Sequence, residues 1–182
     1  IFYGGSFAQK DGLQYLLEAM DILKERKFKF KLILSGKGRP EDIEKIFPKL
    51  KGNEFIDYRG FLSTQEYFKL LSSVDICCMT RTNSAFANAG FPFKLGEFLA
   101  AGKLIIASKI GDVENFLTHK ENAYLIAPES TEEIVEGLTY YLNNLKTLSQ
   151  TIGVNARKVA EKNFDANLSS SFMLEKCKNI LK

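Results

Sequence analysis

The sequence predicts an α/β domain on a doubly wound, Rossmann-like parallel sheet of about six strands, with helices on both faces. Three observations predict it. Short apolar runs alternate with amphipathic helical segments from end to end. The runs "DICCMT" and "KLIIAS" are apolar without alternation, as strands covered on both faces are. Right-handed crossovers between such strands then leave an open, doubly wound sheet as the first choice.

Each element has its own warrant. "IFYGG" is a short apolar strand ending in glycine. Over residues 12–26, Leu13, Leu16, Leu17, Met20 and Leu23 recur at spacings of three and four, which is one helix face. "FKFKLILSG" is a strand that first alternates and then becomes continuously apolar. Residues 40–50 read as a helix with Pro40 in the first turn. "EFIDYRG" is a strand, and Ser63 with Glu66 three residues on forms a capping box that opens the next helix. After "DICCMT" comes a loop, "ANAG", then a helix over 92–101 with Pro92 in its first turn. "KLIIAS" is followed by a short helix near 112–118 and the strand "AYLIAP". Helices over 131–145, 147–162 and 166–181 close the chain, with Tyr140, Tyr141 and Leu142 packing the first of them on the sheet.

The 182 residues suit one domain with a full hydrophobic core. A hydrophobic share of 45% and a charged share of 26% are ordinary for a globular protein. The net charge of +3 is too small to argue for a nucleic-acid partner. No signal-peptide layout is read, and no apolar run comes near the ~20 residues of a membrane span. A cytoplasmic location is therefore expected. Cys77 and Cys78 read as small core residues of a buried strand in a reducing compartment, and with the isolated Cys177 they make no metal site. Because "IFYGGS" starts directly on a core strand, the chain is expected to be a domain excised from a longer protein. His119 is the only histidine, is expected to be exposed, and belongs to no catalytic triad.

In a doubly wound sheet, ligands bind outside the carboxyl ends of the strands. The loops there carry the candidate chemistry. In "GGSFAQKDG", Gly4 and Gly5 allow a close backbone approach, Asp11 is placed to cap the next helix, and Lys10 stands beside that helix's N-terminus. Two readings stay open: an anion site, or a tight turn with a solvated lysine. The loop is neither G-x-G-x-x-G nor a P-loop, which disfavours a nicotinamide-dependent oxidoreductase. "SGKGR" after the second strand is either a turn or a ligand-approaching loop.

The stretch "FPFKLGEFLAAGK" is the most informative. Phe93, Leu95, Phe98, Leu99 and Ala101 make the helix apolar on most sides, yet it carries two charges. Lys94 opposes the helix dipole, and a lysine N-terminal to a glutamate is the poorer order for an ion pair. Both facts suggest that Lys94 meets another anion. Glu97 lies one turn deeper on nearly the same face. A carboxylate only accepts hydrogen bonds, so it suits a vicinal diol such as a ribose. The alternative is a solvent-exposed Lys94–Glu97 pair.

Taken together, "FPFKLGEFLAAGKLIIAS", "GDVENFLTHKENAYLIAP", "YGGSFAQKDGLQYLLEA" and "RGFLSTQEYFKLLSSVDI" resemble the C-terminal, donor-binding half of a GT-B fold glycosyltransferase of family 4, glycosyltransferases group 1. The resemblance covers residues 1 to about 165 in the right order. It implies a retaining transferase that takes a sugar from a UDP- or GDP-linked donor, usually without a metal or other cofactor. Glu97 would hold the ribose hydroxyls and Lys10 would meet the diphosphate, the two residues that carry catalysis. The amides of Gly90, Phe91 and Phe93 would face the sugar and β-phosphate, while Pro92 has no amide hydrogen to offer. The backbone of Arg59, Gly60 and Phe61 would contact the base. Gly5, Ser6, Gly36 and Lys94 complete the donor site.

The resemblance further implies a missing N-terminal domain, packed by the final helix over 165–182, and a saccharide or lipid-linked acceptor. Surface polysaccharide or lipopolysaccharide synthesis in a bacterium would follow. The basic cluster Lys24, Arg26, Lys27, Lys29 and Lys31 is either a solvated helix end or a contact with an anionic membrane surface.

Two departures matter. Many family members have a further glutamate eight residues before the one matching Glu97, and Ala89 stands there, so Asn88 or Asn83 is the expected substitute. Many also have an arginine after the first strand, where this chain has Gly5 and Ser6. Arg81 is then either the missing charge or a surface arginine. The competing functions are a non-catalytic nucleotide-binding or scaffold module, which Ala89 favours, and a sugar-nucleotide epimerase of the same fold, which the lone histidine disfavours.

Overall fold

A six-stranded, fully parallel sheet runs in the order β3-β2-β1-β4-β5-β6. The computed structural model describes residues 1–38, 41, 43, 44, 48 and 53–180. The strands are β1 (Phe2–Gly4), β2 (Leu32–Ser35), β3 (Ile56–Tyr58), β4 (Ile76–Met79), β5 (Leu104–Ser108) and β6 (Tyr124–Ile126). The helices are α1 (Leu13–Glu25), α2 (Thr64–Ser73), α3 (Ala85–Asn88), α4 (Phe93–Ala100), α5 (Thr131–Asn143), α6 (Leu145–Leu148), α7 (Val154–Asn163) and α8 (Ala166–Ile180).

Side chains alternate across the sheet with a period of two, so one register sorts two cores. Phe2 pairs with Cys77, which pairs with Ile105, and all three enter one core with Leu95, Phe98 and Leu99 of α4. Tyr3, Cys78 and Ile106, one residue on in each strand, enter the opposite core with Leu16 and Met20 of α1 and Leu138 of α5. Because both faces are covered, all residues of β4 and β5 are buried and the apolar runs lack alternation. Each fully buried Leu or Phe contributes about 1.5–3 kcal/mol. Cys77 and Cys78 are buried as expected, and burial pushes the Cys78 thiol up to about 12, so neither is a nucleophile.

Several local expectations shift. Strand β2 begins only at Leu32, so "FKFK" is connection rather than ladder. The loop expected before α4 contains α3, whose N-cap Ser84 accepts a hydrogen bond from the Ala87 amide. Pro92 is the N-cap of α4 rather than its first helical residue. The helix near 112–118 is a single 3₁₀ turn, Val113–Asn115. Ser63 and Glu66 form the expected capping box. Helix α6 passes through a π turn, Ser149–Gly153, into α7. The helix expected over 40–50 lies outside the described residues, apart from positions 41, 43, 44 and 48. No helix among the described residues is long and apolar enough to cross a membrane.

Strand order reverses between β1 and β4. A crevice therefore opens outside their carboxyl ends, where residues 4–12 and 80–94 emerge side by side.

Candidate functional site

The two loops at the crevice are stitched together before any ligand arrives. Gly12 adopts a left-handed conformation with φ +62° and presses on the Thr80 carbonyl, leaving no room for a Cβ. The Thr80 hydroxyl donates to the Gly12 carbonyl at 3.3 Å, and the Thr82 amide donates to that of Lys10 at 2.9 Å. Asp11 does not cap α1, since Gly12 takes that position without a side-chain cap. The Asp11 carboxylate turns back instead and accepts from the Ser6 hydroxyl at 2.5 Å and the Ser6 amide at 3.2 Å. The Ser6 hydroxyl is thus engaged inside its own loop. On the far side, Gly36 lies against Gly5, with an ideal Cβ 1.7 Å from the Gly5 carbonyl oxygen. The amides of Gly5 and Gly36 donate to Ser35 and Gly60, joining the ends of β1, β2 and β3.

Cations surround this frame. Arg81 is not a surface arginine: its side chain is 13% exposed, its Nε lies 4.0 Å from Asp11, and its Nη1 donates to the carbonyls of Ala87 and Gly90. Lys10 stands at the rim, 3.9 Å from Asp11 and over the exposed Phe86 ring at 4.7 Å. Lys94 reaches across from α4 and holds its ammonium 4.9 Å from the centre of the Tyr67 ring. No Lys94–Glu97 ion pair occurs among the described residues, so the exposed-pair alternative does not describe this helix.

Two clefts meet here. One, of about 330 Å³, is lined by residues including Gly5, Ser6, Arg81, Phe91, Pro92, Phe93, Lys94 and Glu97. The other, of about 180 Å³, is lined by residues including Ser35, Gly36, Phe61, Thr64 and Tyr67, and again by Lys94 and Glu97. Lys94 and Glu97 are therefore the ridge between them. The amide hydrogens of Gly90, Phe91, Phe93 and Lys94 donate to no group among the described residues, and the last two open the α4 helix. Phe91 is pinned from behind by Phe116 and Phe164, with ring centres at 5.4 and 5.3 Å. Such a helix end, with Lys94 beside it and Arg81 opposite, attracts an anion.

Other expected residues sit elsewhere. The Arg59 guanidinium turns away into a bidentate pair with Asp57 at 2.8 and 2.9 Å, which holds that carboxyl below its usual range. Gly60, at φ +62°, has open space around it, and Phe61 is 74% exposed at the mouth of the smaller cleft. Asn88 and Asn83, the expected substitutes for the absent glutamate, are bonded to each other: the Asn88 amide nitrogen donates to Asn83, and its oxygen accepts from the Gly111 amide at 3.0 Å. His119 is exposed, yet its Nδ1 accepts from the Leu125 amide. Among the described residues no cluster of three His, Cys, Asp or Glu could hold a metal.

Two residues of the site were not anticipated. The Tyr67 hydroxyl donates to Glu97 Oε2 at 2.6 Å, and burial followed by that carboxylate raises its pKa. The Tyr3 hydroxyl is buried in the wall of the larger cleft with no hydrogen-bond partner among the described residues. Nothing local marks either one, since Tyr67 and Glu97 are 30 residues apart.

The geometry defines a doubly wound α/β domain with a crevice at its switch point, and comparison with known proteins is more specific. The family profile of glycosyl transferases group 1 matches residues 1–144, and the chain belongs to that family. It is 27% identical over 170 residues to a putative colanic acid biosynthesis glycosyl transferase of Escherichia coli, covering 91% of this chain and 39% of that one. A glycosyltransferase structure from Rickettsia africae superposes with a TM-score of 0.86 at 24% identity, over 100% of this chain and 47% of that one. The Anabaena protein HepE in complex with UDP superposes with a TM-score of 0.84 at 18% identity, over 98% of this chain and 48% of that one. HepE is also solved with UDP-glucose. The chain thus spans about two fifths of the length of the curated relatives it matches, 36–39% for those at either end of the range.

Proposed function

We propose that this chain is the donor-binding half of a retaining glycosyltransferase and binds a nucleoside-diphosphate sugar across its two clefts. The observation that carries the reading is the ridge itself. Glu97 and Lys94 line both clefts, so a molecule filling both must cross a carboxylate and an ammonium. A sugar nucleotide has parts that match. The ribose diol meets Glu97, the diphosphate lies in the larger cleft, and the base enters the smaller one against Gly36 and Phe61.

The chemistry follows from the anion end of that cleft. Departure of the sugar leaves negative charge on the β-phosphate. The free amides at the start of α4, with Lys94, Arg81 and Lys10, are aimed where that charge grows. Asp11 is the nearby carboxylate that keeps Lys10 and Arg81 from facing one another uncompensated. The N-terminal domain that would bring the acceptor is inferred from relatives about twice this length or more. The colanic acid relative suggests surface polysaccharide synthesis, and the complexes of HepE suggest a UDP-linked donor.

The test is a thermal-shift panel of UDP, GDP, ADP, CMP and NAD on wild type and Glu97→Ala. A ligand at a hundredfold its dissociation constant adds ~2.7 kcal/mol, or several degrees for a domain of this size. One nucleoside diphosphate should stabilise wild type and lose its effect in Glu97→Ala. A shift with NAD alone would refute the reading. No response to any nucleotide would favour the scaffold alternative that Ala89 suggests.

A further inference from the structure

We infer that Tyr67 is a positioning residue that sets Glu97 for a diol and keeps Lys94 from neutralising it; this rests on the nucleotide reading above. Lys94 and Glu97 are three residues apart on one helix, a spacing at which lysine and glutamate ordinarily meet. A lysine paired with that carboxylate would compete with any hydroxyl seeking it. The structure separates them through one side chain. The Tyr67 hydroxyl donates to Glu97 Oε2 at 2.6 Å, while the face of the same ring takes the Lys94 ammonium at 4.9 Å.

The ring can do this because it is anchored. Tyr67 stands on α2, and its ring packs against Phe2 at 6.0 Å and Phe68 at 5.5 Å. Phe2 is fully buried in β1, so the anchor is the sheet itself. A glutamate side chain has three rotatable bonds and a tyrosine two. A short hydrogen bond from a packed ring therefore fixes a flexible carboxylate. One proton is accepted by Oε2. Oε1 and the second lone pair of Oε2 remain for the two hydroxyls of a ribose. The tyrosine acts through Glu97 and does not itself need to touch the ligand.

Tyr67→Phe separates the two tasks. Phenylalanine keeps the ring contacts and the seat for Lys94, and removes only the hydroxyl. Binding of UDP, GDP and ADP, and of their 2′,3′-dideoxy forms, is measured by calorimetry on wild type, Tyr67→Phe and Glu97→Ala. Tyr67→Phe should weaken the preferred diphosphate about tenfold, the usual size of a hydrogen bond to a charged group. It should leave the dideoxy form within about twofold of wild type. Equal weakening of both forms would overturn the inference, because a general loss of packing does not discriminate hydroxyls. Unchanged binding of both, with Glu97→Ala still defective, would overturn it while leaving the nucleotide reading intact. If wild type binds none of the three, or if Glu97→Ala binds as wild type does, the nucleotide reading falls and this inference falls with it.

Discussion

Gly12 and Gly60 offer a matched pair of substitutions. Both have φ +62°, so alanine at either position pays the same left-handed backbone penalty. That penalty is about 1–2 kcal/mol, offset in part by the stiffer unfolded chain. At Gly60 nothing lies within 4 Å of the added Cβ, so Gly60→Ala should cost about 1 kcal/mol in all. At Gly12 the Cβ would lie 1.9 Å from the Thr80 carbonyl oxygen, where ordinary contact begins near 3.4 Å. The loop must then move by more than about 1 Å within a close-packed interior. Such a shift breaks the Thr80–Gly12 and Thr82–Lys10 hydrogen bonds, at about 1 kcal/mol each. The expected cost of Gly12→Ala is about 3–4 kcal/mol, or roughly 10 °C in Tm against roughly 3 °C for Gly60→Ala. Differential scanning calorimetry of both variants checks it. Equal midpoints would mean that the loops after β1 and β4 are not locked together, and would refute the account of how the crevice is built.

Other outcomes follow from single contacts. The Tyr141 hydroxyl is buried and donates to the Ile105 carbonyl at 3.1 Å, so Tyr141→Phe should cost about 1 kcal/mol by chemical denaturation. It should not alter nucleotide binding, because that ring lies on the α1–α5 side of the sheet. His119 has a lowered pKa because its ring is partly desolvated and Lys120 stands next to it. The unfolded chain therefore binds the extra proton first, and stability should fall as pH drops below about 6.5. Thermal midpoints over pH 7.5 to 5 should show this loss in wild type and less of it in His119→Gln; parallel curves would exclude the histidine as its source.

What was legible in the sequence was set by local chemistry. Strands β4 and β5 read clearly because burial on both faces leaves them almost wholly apolar, with Ser108 at the end of β5 the one polar residue. Glu97 and Lys94 stood out because charges inside an apolar helix need a reason. Partners distant in sequence were not legible. Arg81 reads as either a cleft charge or a surface arginine until Asp11 and the Gly90 carbonyl come to it. Asp11 reads as a helix cap until Gly12 takes a left-handed turn and aims the carboxylate at Ser6. The sequence offers Asn88 and Asn83 as separate substitutes for the absent glutamate, and cannot show that they bond to each other and that Gly111 closes on Asn88. Tyr67 carries no mark at all, since an aromatic residue on an amphipathic helix is ordinary and its partner belongs to another helix.

The contact between Gly5 and Gly36 limits how this protein can diverge. A Cβ at Gly36 would lie 1.7 Å from the Gly5 carbonyl oxygen, so the second loop cannot be remodelled at that point by adding a side chain. The floor of the smaller cleft is in this sense frozen. Phe61 and Leu62 line the same cleft from the third loop and Thr64 from the start of α2, and Gly60 just before them has open space around it. Relatives that admit a different molecule into that cleft should differ at those positions while keeping Gly36, and a library aimed at altered selectivity belongs on the third loop rather than the second.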